Sequence, residues 1–194
     1  SIDAQARWLL ALIAANGGEA ATLIGHSMGS LLALRAASLA PAAVRKLVLI
    51  GTAAAMPVHR DLLDAAAAND HAAIDMVNLW GHGFEAGLGG SRAPGVWMTG
   101  AGERILERAA PGVLHTDLAA CNAYKDALTD AAQVDAPTLI INGAKDQMTP
   151  LKGAKALAAA IPGARLLALP SAGHMLMSER PYELIDAIAA HLRG

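Results

Sequence analysis

The five residues Gly25-His26-Ser27-Met28-Gly29 constrain the fold more than any other part of this sequence. They follow an apolar run, Ala20–Ile24, and precede a helical pattern, Leu31–Ala37. A strand that reverses directly into a helix strains the backbone of the residue between them and exposes its side chain at the end of a sheet. This order predicts a tight turn centred on Ser27. It also predicts that both ends of the motif need glycine, because side chains there would collide with neighbouring backbone.

Strand and helix patterns alternate on either side of the middle of the chain. Strands are predicted at Ala21–Gly25, Val44–Ile50, Ala136–Asn142 and Ala164–Leu169. Helices are predicted at Asp3–Ala15, Met28–Leu39, Pro150–Ala160 (with Thr149 as its N-cap) and Pro181–Leu192. The alternation predicts an α/β fold, with a mostly parallel sheet flanked by helices and right-handed crossovers.

The strand signal is missing between the second and third predicted strands. Helical patterns occupy this region, at His59–Ala68, Ala72–Leu79, Glu103–Ala109 and Thr116–Leu128, and a glycine-rich stretch runs through Gly81–Gly90. We therefore divide the chain into a core, residues 1–55 and 133–194, and a helical insert, residues 56–132.

Two further polar residues follow strand patterns in the way that Ser27 does. Asp146 comes just after the third predicted strand, and His174 comes just after the fourth. In an open parallel sheet the loops at the carboxyl ends of the strands share one edge, where ligands bind. A serine hydroxyl is a weak nucleophile that needs a base, which an acid in turn orients. We expect the three side chains to meet at this edge.

With these three segments in the order Ser, Asp, His, the chain resembles the α/β-hydrolase superfamily over nearly its whole length. The resemblance rests on the turn motif, on Ala136–Asp146, and on Ala172-Gly173-His174 with the helix start at Glu179-Arg180-Pro181. It implies that Ser27 is the nucleophile, His174 the general base and Asp146 its orienting acid. The backbone N–H of Met28 would be one donor of the oxyanion hole.

The chain departs from the family pattern before the nucleophile. The family usually has several strands there and a His-Gly segment that supplies a second oxyanion donor, whereas only one helical pattern precedes Ser27. The lone His-Gly, His82-Gly83, lies after the nucleophile and is interpreted as a polar turn. We therefore expect an amino-terminally shortened form of the fold, natural or fragmentary, whose second oxyanion donor the sequence does not identify.

The resemblance places a cap where the helical insert lies. We predict that Trp80 and Phe84 line an apolar pocket over Ser27, the alternative being that they pack the insert onto the core. His26 lies beside the nucleophile and is a further candidate for the substrate site. Trp97 is expected to hold the insert in place.

The predicted activity is serine-dependent hydrolysis of small or medium apolar carboxylic esters through an acyl-enzyme intermediate. Two alternatives remain open: hydrolysis of a carbon–carbon bond in diketones, which the same scaffold supports, and a non-catalytic remnant or binding module. No cofactor is required, and no spacing of histidine, cysteine or carboxylate residues predicts a metal site.

Composition limits the partners of the chain. The net charge is −2 and unclustered, which predicts a small-molecule substrate rather than a nucleic acid or an anionic membrane. Cys121 is the only cysteine, so no internal disulfide forms, and the expected location is the cytoplasm. The high alanine content suggests a bacterial source.

The apolar run Ala20–Ile24 resembles a strand that is buried on both faces. No strand pattern precedes it, so its outer edge would lack a partner. We expect two copies to pair there as a homodimer. A separate chain or the helix at Ala4–Ala14 could cover the edge instead.

Overall fold

The computed structural model describes all 194 residues and has one parallel sheet at its centre. The four strands are β1 (Ala21–His26), β2 (Val44–Ile50), β3 (Thr138–Gly143) and β4 (Arg165–Leu169). Their order in the sheet is β1-β2-β3-β4, and every neighbouring pair is parallel. The predicted α/β class is confirmed, and each strand lies within two residues of its predicted bounds.

Eleven α-helices connect or flank these strands. They are α1 (Ile2–Ala15), α2 (Met28–Leu39), α3 (Arg60–Ala67), α4 (Ala72–Gly81), α5 (Phe84–Gly87), α6 (Met98–Glu107), α7 (Val113–Ala123), α8 (Ala127–Ala131), α9 (Leu151–Ala160), α10 (Leu176–Glu179) and α11 (Pro181–Arg193). A short 3-10 turn, Pro41–Ala43, precedes β2. None of the helices is both long and apolar enough to cross a membrane.

Successive strand residues point to opposite faces of the sheet, so the core has two halves. Leu47 and Leu49 of β2 pack towards α2 and α9 in the larger half. Val48 and Ile50 face the other way, where they join Leu184 of α11 in the smaller half. Because both faces of β2 and β3 are covered, the run Leu47–Ile50 of β2 and the whole of β3 are buried, with Leu139, Ile140 and Ile141 as the apolar centre of β3.

The helical insert does not form one separate layer. Leu62 of α3 and Ala73 of α4 belong to a small apolar cluster with α7. In contrast α8, within the predicted insert, packs against α2 and α9, and its Ala127 and Ala131 are fully buried in the larger core. The helix predicted over Thr116–Leu128 is therefore two helices, because the chain turns between α7 and α8 to reach the core.

Two other local predictions differ from the structure. Thr149 does not cap α9, whose N-cap is Pro150, because the Thr149 hydroxyl binds Asp146 instead. The pattern of the last helix predicts an apolar face at Leu184, Ile185, Ile188, Ala189 and Leu192, but Ile185 is 61% exposed and Leu192 is 41% exposed. Leu184 is the residue of this face that is fully buried, where it joins the smaller half of the core.

Strand β1 forms one edge of the sheet. It pairs only with β2. Its residues Thr22 and Ile24 lie on the same face of the sheet as Val48 of β2 but are exposed there, with Ile24 50% exposed. Helix α1 packs against α2 rather than along this edge. The alternative in which α1 covers the edge is therefore not what this structure shows.

Candidate active site

Ser27 lies at a sharp turn between β1 and α2. Its backbone is strained, with φ 53° and ψ −122°, and its N–H donates to the carbonyl of Ile50 at 2.9 Å. A Cβ at Gly25 would lie 2.1 Å from the carbonyl oxygen of Gly29, so glycine is required at Gly25. The prediction that position 29 also needs glycine is wrong, because a Cβ at Gly29 would have no neighbouring atom within 4 Å.

The backbone N–H of Met28 is the first of α2. The first four N–H groups of a helix have no partner within the helix, and they carry the positive end of its dipole. The side chain of Met28 packs against the larger core. The N–H of Met28 therefore has no partner within α2, as an oxyanion donor requires.

His174 and Asp146 form a buried pair. His174 Nδ1 lies 2.8 Å from Asp146 Oδ2, and both side chains are almost fully removed from solvent. Because a carboxylate only accepts, this contact assigns the ring proton to Nδ1. In the neutral form of such a ring Nε2 carries the lone pair. His174 Nε2 is buried without a hydrogen-bond partner. Ser27 Oγ makes no hydrogen bond to it in this structure.

The loop after β3 saturates the carboxylate of Asp146. Its Oδ1 accepts from the N–H groups of Met148 and Thr149, each at 2.8 Å, and its Oδ2 accepts from the Thr149 hydroxyl at 2.5 Å. Burial, the largest single influence, would raise the pKa of Asp146, but the bonds and charge of His174 and the bonds of Thr149 together hold it below its ordinary value of 3.8. Asp146 is therefore ionised at neutral pH.

His26 lies against His174 rather than in the open site. Its Nε2 is 2.9 Å from the carbonyl oxygen of His174, and the two ring centroids are 4.7 Å apart. Burial, followed by the charge of His174, lowers the pKa of His26 to about 4. A neutral His26 thus donates to the main chain of His174. Gly51, with φ 55°, leaves room for both rings, since its Cβ would lie 3.1 Å from His174.

A cavity of about 290 Å³ opens beside Ser27. The insert lines it with Met56, Pro57, Val58, His59, Leu62, Trp80, Leu118 and Cys121, and the core lines it with Ser27, Gln147, Met148 and Thr149. Ser27 and the loop that holds Asp146 therefore face one mostly apolar space. Its size and lining are suited to a small apolar ligand.

Of the two residues predicted to line the pocket, this structure places one at the cavity and the other at the surface. Trp80 lines the cavity, and its ring lies edge-on to His59 with centroids 6.1 Å apart. Phe84 does not line it, because α5 turns this side chain outwards and leaves it 84% exposed. Trp97 is likewise exposed, and it lies over Gly100, so it does not fasten the insert to the core. Burial raises the pKa of Cys121 to about 11, which keeps it a protonated thiol.

Sequence reasoning gave no role at the site to Thr149 or Glu179. Thr149 was assigned to a helix cap, although a hydroxyl three residues after Asp146 can equally bind that carboxylate. Glu179 is buried and accepts from the N–H groups of Gly83 and Gly173. The His82-Gly83 segment is therefore packed against the loop of His174 and is not an exposed polar turn. No local pattern could have revealed this contact between distant segments.

One other group of side chains has the composition of a metal site. Donor atoms of His71, Glu103 and Glu107 lie within 4.8 Å of one another near the surface of the insert. Arg104 Nη1 lies 2.6 Å from Glu107 Oε2, and Arg104 Nη2 lies 3.3 Å from Glu103 Oε1. This arginine already balances the carboxylates, so we describe the group as a surface ion-pair cluster.

Several known proteins resemble this chain over most of its length. The chain is 32% identical, over 98% of its length, to the polyketide synthase ThaQ of Burkholderia thailandensis. It is 29% identical, over 90% of its length, to RutD of Klebsiella pneumoniae (strain 342), a proposed carbamate hydrolase. The chain spans 9% of the length of ThaQ and 66% of that of RutD.

Solved structures share the fold over almost the whole chain. A thermophilic esterase aligns with a TM-score of 0.81 at 27% identity, covering 100% of this chain and 73% of the esterase. The enol-lactonase of Burkholderia xenovorans LB400 aligns with a TM-score of 0.90 at 22% identity, covering 100% and 74% of the two chains. The family profile described as "alpha/beta hydrolase fold" matches residues 1–181. Because that match takes in both the core and the insert, the chain belongs to the alpha/beta hydrolase fold family.

Proposed function

We propose that this chain hydrolyses small or medium apolar carboxylic esters through an acyl-enzyme formed on Ser27. The observation that carries the proposal is the buried His174–Asp146 pair, whose Nε2 has no hydrogen-bond partner. Beside it stands the strained backbone of Ser27, a residue that lines an apolar cavity. Burying a basic nitrogen without a hydrogen-bond partner costs free energy of folding, so such a nitrogen in a folded protein calls for an explanation. A role as the general base that accepts the proton of an attacking hydroxyl would explain it.

In the proposed reaction His174 Nε2 takes the proton of Ser27 as Oγ attacks the acyl carbon. The ionised Asp146 stabilises the imidazolium that forms and keeps the ring in its orientation. The Met28 N–H stabilises the negative oxygen of the tetrahedral intermediate. His174 returns the proton to the departing alcohol, and a water molecule, deprotonated in turn by His174, releases the acid and restores Ser27. The hydrogen bond from Ser27 Oγ to His174 Nε2, which this structure does not contain, would form when substrate binds.

The relatives support hydrolysis at a carbonyl carbon. One solved neighbour is named an esterase, and RutD is named a proposed carbamate hydrolase. Esters and carbamates both contain a carbonyl carbon bonded to a heteroatom. The apolar lining supports uncharged substrates with modest acyl or alcohol groups. We further propose that the helical insert acts as the cap of this site, since it supplies most of the cavity wall.

The test is covalent labelling by a fluorophosphonate probe, read by intact-protein mass spectrometry. We expect one label per chain, located at Ser27, and turnover of p-nitrophenyl butyrate. Ser27→Ala should lose both and keep its melting temperature, because the serine is half-buried and the change is small. Cys121→Ser is the matched control and should still be labelled. Unchanged turnover in pure Ser27→Ala, or a wild-type chain without label or turnover, would reject the proposal.

We also propose that two copies associate along β1, where the strand has a free edge and Ile24 is exposed. Unpaired strand edges beside apolar surface favour pairing with another chain. Light scattering at micromolar concentration should report a dimer. Because the N–H groups of successive strand residues point to opposite edges, only one of Thr22→Pro and Leu23→Pro removes an N–H from the free edge. That variant should block pairing, whereas the other should weaken the β1–β2 ladder. A folded wild-type monomer at this concentration would refute association.

A further inference from the structure

Glu179 is a buried carboxylate that no cation neutralises. Its side chain is at the end of α10 and is 2% exposed. The neighbouring Arg180 points elsewhere, with Nη1 on the main-chain carbonyl of Glu179 and Nη2 on Glu85. Removing a carboxylate from water is costly, and here only backbone N–H groups compensate for it. A carboxylate that is buried at this cost is a candidate for a functional role in addition to its structural one.

Two backbone N–H groups donate to the same oxygen of Glu179. Oε2 accepts from Gly83 at 3.0 Å and from Gly173 at 2.9 Å, whereas Oε1 has no partner. Hydrogen bonds from N–H groups to an ionised acceptor are the stronger kind. The carboxylate therefore joins the helical insert, through Gly83, to the loop that carries His174.

The two joined segments also bind each other directly. The carbonyl of Gly81 accepts from the N–H groups of His174 and Met175, each at 2.9 Å. The contact is close: a Cβ at Gly173 would lie 2.3 Å from the nitrogen of Gly83. Glycine at both places allows the approach, and Glu179 holds the two N–H groups that the approach leaves without carbonyl partners.

These bonds fix the main chain of His174 from several sides. Glu179 holds the preceding residue, Gly81 holds the N–H of His174, and His26 donates to its carbonyl. Asp146 then determines the rotation of the ring. Glu179 is the acceptor of the Gly173 N–H, so its loss would free the residue that directly precedes His174.

We propose that Glu179 is a positioning residue for His174, acting through the Gly173 and Gly83 N–H groups and not by contact with substrate. The inference rests on the proposed function, since it assigns Glu179 to the placement of the catalytic base. Misplacing a reacting group by about 1 Å can cost about 100-fold in rate. Loss of Glu179 should therefore lower kcat much more than it changes KM.

The experiment compares Glu179→Ala and Glu179→Gln with the control Glu183→Gln. Glu183 lies on the next helix, α11, and its carboxylate binds Arg92 rather than the loop of His174. In Glu179→Gln the amide carbonyl can accept both N–H groups, whereas Glu179→Ala leaves both without a partner. We expect Glu179→Ala to lower kcat by about 10- to 100-fold with KM within about twofold. Glu179→Gln should keep most of the rate, and Glu183→Gln should match the wild type.

A second measurement does not depend on turnover. The proton between His174 Nδ1 and Asp146 gives a downfield NMR resonance, which should shift or broaden in Glu179→Ala and stay in place in Glu183→Gln. If Glu179→Ala does not fold, Glu179→Asp is used in its place. Its side chain is one methylene shorter, so its carboxylate would lie farther from the N–H groups of Gly83 and Gly173. Wild-type kcat and an unmoved resonance in a folded Glu179→Ala or Glu179→Asp would overturn the proposal. Absence of ester turnover in the wild type, with a resonance that still shifts in the variant, would reject the ester function alone.

Discussion

The two sides of the candidate site are held together by different interactions, hydrogen bonds on one side and apolar packing on the other. On the acid–base side, Asp146 and His174 sit in a closed set of hydrogen bonds that the loops after β3 and β4 supply. On the cavity side, Ser27 faces side chains of the helical insert such as Trp80 and Leu62, which contact the space mainly through apolar surface. One side is fixed by directional bonds and the other by shape.

This difference predicts how each side tolerates change. A buried hydrogen-bond network loses the full desolvation cost of any partner that is left unpaired. An apolar wall can be reshaped with smaller losses, provided that the core underneath is kept. We therefore expect substitutions on the acid–base side to remove activity and those on the cavity side to redirect it.

The largest effect should follow loss of the base. His174→Ala should lower kcat by about 10⁴-fold or more, and Asp146→Asn by somewhat less, since the base and the orienting acid act as a unit with the nucleophile. Single-turnover assays with p-nitrophenyl butyrate measure both. His59→Ala, which changes a histidine at the rim of the cavity, is the matched control. A His174→Ala variant with more than about a tenth of wild-type kcat would contradict the comparison.

Next in size is a pH effect from His26. Its pKa of about 4 in the folded chain lies below its ordinary 6.5, so the unfolded chain takes up a proton at higher pH than the native one. The free energy of unfolding should therefore fall as the pH drops from 6.5 to 4, by at most about 3 kcal/mol at 1.36 kcal/mol per pKa unit.

The control is His26→Gln, which keeps an N–H donor for the carbonyl of His174 but does not titrate. Denaturant unfolding at pH 7 and pH 4.5 should show a smaller loss of stability in this variant than in the wild type. Asp146 stays ionised at both values, because its pKa is held below 3.8. Equal losses in the two proteins would show that His26 does not remain neutral in the folded chain.

A smaller effect is expected from the Thr149 hydroxyl. Thr149→Val keeps the shape but removes the donor to Asp146 Oδ2, and a hydrogen bond to a charged group contributes about 1.5–3 kcal/mol. We expect kcat to fall by about tenfold, and the acid limb of the pH–rate profile to move to higher pH. Thr149→Ser keeps the hydroxyl and should stay close to wild type. If valine and serine behave alike, the hydroxyl does not support Asp146.

Much of the acid–base side could be predicted from sequence because it depends on local order. Strand patterns that end just before Ser27, Asp146 and His174 bring these residues to one edge, since parallel strands share that edge. Strand β2 and helix α2 also lie where their patterns predict. The assignments of nucleophile, base and acid stay predictions until they are tested.

The cavity side was less predictable because it depends on the rotation of short helices. Trp80 and Phe84 are four residues apart in a glycine-rich region, yet α4 points one into the cavity and α5 points the other into solvent. The contacts of Glu179 with Gly83 and Gly173 join segments up to 96 residues apart, which no local pattern reports. The dimer and the cytoplasmic location also stay predictions.

The most selective effect, a change in ester preference without loss of activity, should come from Trp80 of the insert, with Phe84 as its comparison. Trp80→Ala enlarges the cavity and should shift the ratio of kcat/KM for octanoyl over butyryl esters by about tenfold, because single methylene groups in an apolar pocket alter discrimination by such factors. Phe84→Ala removes a side chain that is 84% exposed and should change neither this ratio nor the melting temperature. Trp80→Phe should lie between Trp80→Ala and the wild type. If Trp80→Ala lowers the melting temperature strongly and leaves the ester ratio unchanged, Trp80 serves packing, and the insert does not shape the substrate site.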